Sequence, residues 1–544
     1  MSRPALLHLA AALALAALAA GLYVPFLDNP RVFDDVYFFS GRRFAYYATH
    51  PLGLELRVPA YFTLAVTEVI WSGVMEAQRI VGLVLHVCVA WALYRLLLEL
   101  QRAVLPAASD ADASLRAAIG AAAFVLHPVA VYGAGYLVQR SIVMATLFAL
   151  LSAFLFLRGV RRRSHADALS AALLYSLAVL SKEHAVLLPA AIAPLAVLVG
   201  AARPFAVRHV AIYFAACAPA ALFVTLLSLG VIGGAYEESA AAIAAQAGAG
   251  AADLPVEPSL ALSAVTQAGL FFKYLALWLW PDPAGMSIDL RVDFAAGWTP
   301  AWIVVKVAAF LACGVLAGAL LVRRGAIGLA GVGLLYAWIL FFVEFSAVRL
   351  QEPFVLYRSY LWGPGILCIA VAALSRLPRA AALGAGLIAC AGLGLAAHDR
   401  LVTFSSPLLL WEDAAAKLPD TPVPWGSRAL YQVGREYLYA GQPDKAIAAT
   451  ERCARLYPKT VHCAYARGAI HLHLEQYEAA RLHLLRALEL QPAEGLLHHR
   501  LGLALEGLER IDEAKAAYRR AAELGYGGGS FELERLAKPG RKKK

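Results

Sequence analysis

Over the first four hundred residues, long apolar runs alternate with short clusters of arginine, and after about residue 425 that pattern stops. An apolar run of roughly eighteen residues or more, rising 1.5 Å per residue as a helix, matches the thickness of a bilayer's hydrocarbon core. Such runs place about eleven spans, near 5–27, 77–98, 116–134, 141–158, 167–181, 185–200, 208–232, 301–322, 326–345, 359–375 and 380–397. Residues 259–281 are also apolar but carry Lys273 inside, which reads as a re-entrant or interfacial helix. The first run continues through Leu22-Tyr-Val-Pro-Phe26, longer than the apolar region of a cleaved signal, and reads as a retained first span.

The second pattern is a repeat. Gly434, Gly468 and Gly502 are spaced 34 apart, as are Ala446, Ala480 and Ala514, and Pro458 pairs with Pro492 at the same interval. Small residues at fixed positions let two helices approach closely, and the proline stops the second helix of each unit. That period is the signature of tetratricopeptide repeats (TPRs), three of which fill 427–528. The predicted fold class is therefore all-α: a polytopic membrane domain over 1–398, a linker rich in proline and polar residues over 399–426, the TPR units, and a basic tail over 529–544. An Ala/Gly-rich stretch at 240–252 reads as a mobile loop, and the tail ending Arg541-Lys-Lys-Lys544 as a solubilising segment.

Charge fixes the orientation. With Arg3 inside, alternate connections hold Arg102 and Arg116, then Arg158 and Arg161 to Arg163, Arg203 and Arg208, Arg323 and Arg324, and Arg376 and Arg379. All of these fall on the cytoplasmic side under the positive-inside rule. An odd number of spans then puts the TPR units outside the cytoplasm. Composition agrees: 61% of residues are hydrophobic and only 16% are charged, too few to cover a soluble surface of this size. The formal charge of +10 is a topology signal, and no nucleic-acid-binding module is present. The Ala/Arg-rich bias points to a bacterial inner membrane, which would place the repeats in the periplasm. Five cysteines lie in apolar runs as small buried hydrophobes. Cys453 and Cys463 fall on neighbouring antiparallel helices across the turn at Pro458, so they either form a disulfide or serve as packing residues.

Candidate chemistry gathers at the non-cytoplasmic face. Asp34-Asp35 stands a few residues beyond the first span, and adjacent carboxylates at a membrane surface usually have a partner or a task; the alternative is a helix N-cap pair. Lys182-Glu183-His184 fills a three-residue turn between apolar runs, too short for ordinary snorkelling to explain Lys182 well. Gln139-Arg140 and Arg358 lie at the same face, and three cations there suit a lipid phosphate. His127-Pro128 ends a span, where a histidine is structural more often than catalytic. The chain has no phosphate-binding glycine loop, no HExxH and no Cys/His zinc spacing.

Taken in order, these stretches resemble the transmembrane and tetratricopeptide-repeat (TMTC-type) protein O-mannosyltransferases and their bacterial relatives in the GT-C glycosyltransferase class. The resemblance rests on Asp34-Asp35, His127-Pro-Val129 with Val138-Gln-Arg140, Ser181-Lys-Glu183 with Leu188-Pro189, Thr266-Gln267 with Tyr274 and Pro281, and Tyr357-Arg-Ser359 near Glu352, followed by the repeats. It implies a sugar donor on a polyprenyl phosphate, an acceptor Ser/Thr hydroxyl on a secreted or envelope protein (a pilin-like one included), and inversion at the sugar carbon. By position, Asp35 or Asp34 would be the base, and Arg140, Lys182 and Arg358 would hold the phosphate. His127, Gln139, Glu183, Glu352 and Tyr357 are further site candidates. No cofactor is implied, and a divalent cation at Asp34 and Asp35 is the less favoured reading. The competing readings are an oligosaccharide ligase or polymerase drawing on lipid-diphosphate carriers, and a TPR scaffold for envelope or pilus assembly with no enzymatic role. A scaffold has no need for the charged cluster at one face.

Overall fold

The computed structural model describes residues 3–40, 43–234, 259–292, 299–349 and 352–537. The Ala/Gly-rich stretch at 240–252 and the basic end of the tail lie outside the described residues. Within them the architecture is all-α, with apolar helices first and a helical repeat at the C-terminus.

Among the described residues eight helices are long and apolar enough to cross a membrane, nine if one bent pair counts as a single span, so this is an integral membrane protein. The apolar runs counted as eleven spans divide differently. The run at 116–134 breaks by 65° between Asp110–Val125 and Pro128–Ala134, because proline cannot continue the first helix's hydrogen bonding. The runs at 167–181, 185–200 and 359–375 become His165–Ser181, Leu188–Leu198 and Gly363–Leu374, each shorter than a full crossing. The charged turn at Lys182 and Pro194 account for two of these interruptions. The helix Leu260–Leu279, by contrast, is long enough to span. Yet Ser263 bonds Ala347 and Arg349, Gln267 bonds Pro353, Tyr274 bonds Val355 and Trp278 bonds Ser359, so its whole length follows one connection between two helices.

Burial separates the lipid-facing helices from the central ones. In Leu137–Arg162, 67% of the apolar window is buried, whereas in Arg203–Leu227, Pro300–Val322 and Arg379–Thr403 only 17% is. The exposed faces of those three carry Leu222, Val315 and Leu395, which suits contact with acyl chains rather than water. One continuous core runs through the membrane domain from Ala11 to Leu410.

The C-terminal helices pair as the 34-residue period requires. Ser427–Tyr439 packs on Pro443–Leu456, Val461–His473 on Tyr477–Leu490, and Gly495–Gly507 on Ile511–Glu523. Gly502 lies against the Tyr518 ring, where a Cβ would not fit. Cys453 and Cys463 are joined as a disulfide with Cα atoms 5.4 Å apart, the first of the two alternatives left by the sequence.

The segment read as a linker over 399–426 is helical in large part. Helix Arg379–Thr403 runs into it, and Pro407–Ala416 forms a further helix. Arg400 bonds Asp413 at 2.9 Å and the Met286 carbonyl at 3.0 Å, while Arg452 donates to the Ala415 and Leu418 carbonyls at 2.9 Å each. Buried Trp411 joins Leu430 and Tyr457 in one apolar cluster, so the segment is the seat of the first repeat. Pro and polar residues misled because Trp411 and Leu418 anchor the turns between them. A protease acting from the side of the repeats is therefore expected to leave 399–426 intact while the fold holds; release of the intact repeats by an early cut there, read by mass spectrometry, would contradict this seat.

Candidate active site

The acidic pair opens the helix Asp34–Ser40, and the two carboxylates diverge because successive helical residues point about 100° apart. Asp35 points inward and is fully buried. Its Oδ1 accepts from the Val138 N–H at 2.8 Å and its Oδ2 from the Val32 N–H at 3.5 Å. Burial pushes its pKa up to about 7, against the pull of those amides and of Arg79. Asp34 points the other way and is solvent-accessible, although protein surrounds it. An accessible carboxylate so surrounded, with Tyr136, Glu352, Arg428 and Lys182 acting on it, marks the candidate recess. Burial and then Glu352 raise its pKa, while Tyr136, Arg428 and Lys182 oppose the rise. The Asp34 N–H donates to Tyr136 Oη at 3.0 Å.

Phe33, just before the pair, has φ of 52°. A left-handed backbone at an aromatic residue costs roughly 1–3 kcal/mol and persists only where surroundings enforce it. Here the Phe33 ring meets Tyr136 at 6.4 Å, Trp411 at 5.7 Å and the Arg428 guanidinium at 5.1 Å.

Lys182 caps the helix His165–Ser181 and is 2% exposed. Its ammonium sits 5.6 Å from the Tyr357 ring centre, and Tyr357 in turn meets Tyr136 at 6.2 Å. Contacts thus run unbroken from Asp34 through two tyrosines to Lys182. Among the described residues no carboxylate lies within ion-pair distance of Lys182. Burial and the neighbouring Arg57 bring its pKa down to about 7, despite Glu183.

Behind it stands a buried charge network. Arg57 holds Glu183 at 2.5 and 2.9 Å, and His184 stands 3.3 Å from Glu183 and 3.4 Å from Glu344. Glu344 also meets Arg358 at 3.0 Å and Arg349 at 3.5 Å. Burial would raise the Glu183 pKa, but Arg57 and Lys182 hold it well below the usual range. Four cations (Arg57, Lys182, Arg349 and Arg358) surround the carboxylates of Glu183 and Glu344. The excess is positive, as an anion site requires.

The remaining sequence candidates land elsewhere. Arg140 is turned to Gln78, bonding its carbonyl at 2.7 Å and its side chain at 2.8 Å. His127 caps the helix Pro128–Ala134: its Nδ1 accepts from the Val129 N–H at 3.2 Å, its Nε2 stands 3.2 Å from the Trp278 carbonyl, and its ring stacks on Trp278. That is a structural post. Gln139 is buried with its Oε1 unpartnered. Glu352 receives Arg428 at 3.3 Å, and its carbonyl accepts from Arg358 at the same distance. Among the described residues no three His, Cys, Asp or Glu side chains converge as a metal site.

Several participants gave no strong sign in the sequence. Arg57 lies in a long connection, Arg349 in a short one, and Glu344 at the end of an apolar run. A lone acid in such a run is costly and was the readable signal. Least visible was Arg428, on the first TPR helix. It grips Asp289 at 3.0 and 2.9 Å and reaches Glu352, carrying the repeat domain to the edge of the recess.

Residues 427–460, 461–494 and 497–524 match the tetratricopeptide repeat family. The repeats are TPRs. Over 133 residues the chain is 31% identical to the BBSome complex member BBS4 of Mus musculus, covering 24% of this chain and 25% of that protein. The Bos taurus counterpart is 30% identical over the same length. The chain thus spans about a quarter of the length of the curated relatives it matches. Among solved structures, it is similar to the oligosaccharyltransferase AglB of Archaeoglobus fulgidus, solved with an inhibitory peptide and a dolichol-phosphate. That likeness covers 78% of this chain and 59% of the other, at 14% identity and a TM-score of 0.41. MamA of Desulfovibrio magneticus is similar over 25% of this chain and 91% of its own, at 21% identity and a TM-score of 0.20. Neither structural likeness decides an activity.

Proposed function

We propose that this chain is a membrane glycosyltransferase of the GT-C type, moving a sugar from a polyprenyl-phosphate donor to a Ser or Thr hydroxyl of a secreted or envelope protein. One observation carries the reading: a buried lysine with no carboxylate partner among the described residues is linked through Tyr357 and Tyr136 to an accessible carboxylate of raised pKa. In this reading the recess opens on the non-cytoplasmic face, in a bacterium the periplasmic side of the inner membrane, and the TPR units hold the acceptor protein.

The two groups divide the chemistry. Asp34, rather than Asp35, takes the proton from the acceptor hydroxyl, because only Asp34 is accessible; Asp35 is engaged with the Val138 and Val32 amides. The freed oxygen attacks the anomeric carbon as the bond from that carbon to the phosphate oxygen breaks. Attack from the face opposite the leaving group inverts the centre. Lys182 neutralises the departing lipid phosphate, and Tyr357 lies beside it to cover the polar head. Arg358 adds to the positive field while tied to Glu344. Arg140, committed to Gln78, supports the packing instead of the donor.

Lys182→Ala is expected to raise KM for the donor about 10–100-fold, the worth of one charge-assisted hydrogen bond. The pH profile has a defined sign. Asp34 must be ionised, so rate rises with pH through its raised pKa; Lys182 must be protonated, so donor affinity falls as pH rises above about 7. Steady-state kinetics with a synthetic polyprenyl-phosphate sugar in detergent micelles checks both. An unchanged KM in Lys182→Ala would remove the phosphate from this site.

A further inference from the structure

We propose that Arg428, carried on the first TPR helix, is a positioning residue for Asp34: it pins Phe33, so the recess is complete only with the repeat domain docked. The proposal rests on the transferase reading of the recess and goes beyond it, since it makes the repeats a wall of the site as well as an acceptor holder.

Three sets of contacts converge on it. Phe33 precedes Asp34 in the chain, and its left-handed backbone sets the direction in which the helix Asp34–Ser40 starts. Two of the three groups boxing the Phe33 ring belong to the C-terminal part of the chain: Trp411, seated in the apolar cluster of the first repeat, and Arg428 itself. The third, Tyr136, bonds the Asp34 amide at 3.0 Å. Arg428 is in turn held flat by both oxygens of Asp289, at 3.0 and 2.9 Å, and by Glu352 at 3.3 Å. A planar guanidinium stacks on a ring while its edge grips carboxylates, a geometry that lysine does not reproduce. Glu352 also accepts from Arg358 through its carbonyl, which links Arg428 to the cations around Lys182.

The charged and titratable groups acting on Asp34 from the packed elements are Glu352, Tyr136, Arg428 and Lys182, with Asp35 beside it in the chain. Arg428 favours the ionised carboxylate and Glu352 opposes it. Loss of Arg428 therefore has two consequences: a freer Phe33, and an Asp34 that holds its proton to higher pH.

The test uses the full chain in lipid nanodiscs. Addition of a water-soluble carbodiimide to a carboxyl group takes up a proton, so the pH dependence of Asp34 labelling compared with the parent's, read by peptide mass spectrometry, reports a change in its protonation without reference to activity. In Arg428→Gln the labelling midpoint is expected to move to higher pH. In the transfer assay kcat should fall at least about tenfold with KM for the lipid donor within about twofold, because a misplaced base slows chemistry without loosening the phosphate. Arg428→Lys should restore the midpoint in part but not kcat. Arg520→Gln, which loses only an exposed pair with Glu523 on the last repeat, should match the parent in both. Phe33→Leu keeps every charge and should lower kcat with little change of midpoint; it also reads the ring contact if Arg428→Gln does not fold. Parental kcat and midpoint in Arg428→Gln, or parental kcat in Phe33→Leu, overturns the proposal. If the parent transfers no sugar yet the Arg428→Gln midpoint still rises, the coupling of Arg428 to Asp34 stands while the positioning role and the transferase reading both fall.

Discussion

Asp34→Asn is expected to lower sugar transfer by about two to four orders of magnitude, the usual worth of a general base. The substitution keeps the shape and loses the proton acceptor. Because Asp34 is solvent-accessible, and asparagine can keep both the amide N–H bond and a side-chain bond to Tyr136, insertion and stability should stay near the parent's. Asp35→Asn behaves differently. One of the two amides facing Asp35, from Val138 or Val32, would meet an NH2 group in place of an oxygen. That loss should appear as reduced stability of about 1–3 kcal/mol together with reduced rate. Thermal unfolding run beside the transfer assay separates the two cases. Near-parental transfer by Asp34→Asn, with transfer abolished only in Asp35→Asn, would move the base to Asp35.

Glu344→Gln is expected to cost about 3–5 kcal/mol of stability, the largest structural effect of any single change here. Glu344 is 2% exposed, with His184, Arg349 and Arg358 gathered around it. Removing its charge leaves Arg358, itself 3% exposed, without the carboxylate it meets at 3.0 Å. A buried cation whose counter-charge is deleted pays the desolvation cost unrelieved. In detergent the variant should unfold at clearly lower temperature and yield less folded protein. A parental melting profile would mean that the network sits in a wetter, more forgiving environment than its burial implies.

Much of this architecture was legible in the sequence because its signals are periodic. Apolar runs reported helices, and Gly434, Gly468 and Gly502 reported repeats, since both depend on side-chain size at fixed intervals. The acidic pair and the short Lys182 turn were legible for another reason: charges at a membrane face are costly and therefore stand out. What stayed hidden depends on rotation and distant partners. Which of Asp34 and Asp35 faces the recess is fixed by the amide of Val138, about a hundred residues away. Arg140 looked like a phosphate ligand because its partner, Gln78, is one polar residue within another long apolar helix. Arg428 sits among ordinary repeat-surface charges, and only its contacts with Asp289 and Phe33 distinguish it.

The most direct test of the central reading is the intact mass of secreted and envelope proteins from three strains: one with the parent chain, one with Asp34→Asn, and one lacking the chain. A sugar-sized mass increment is expected on hydroxyl-bearing acceptor proteins in the first strain, absent from the other two. Identical masses in all three would contradict it.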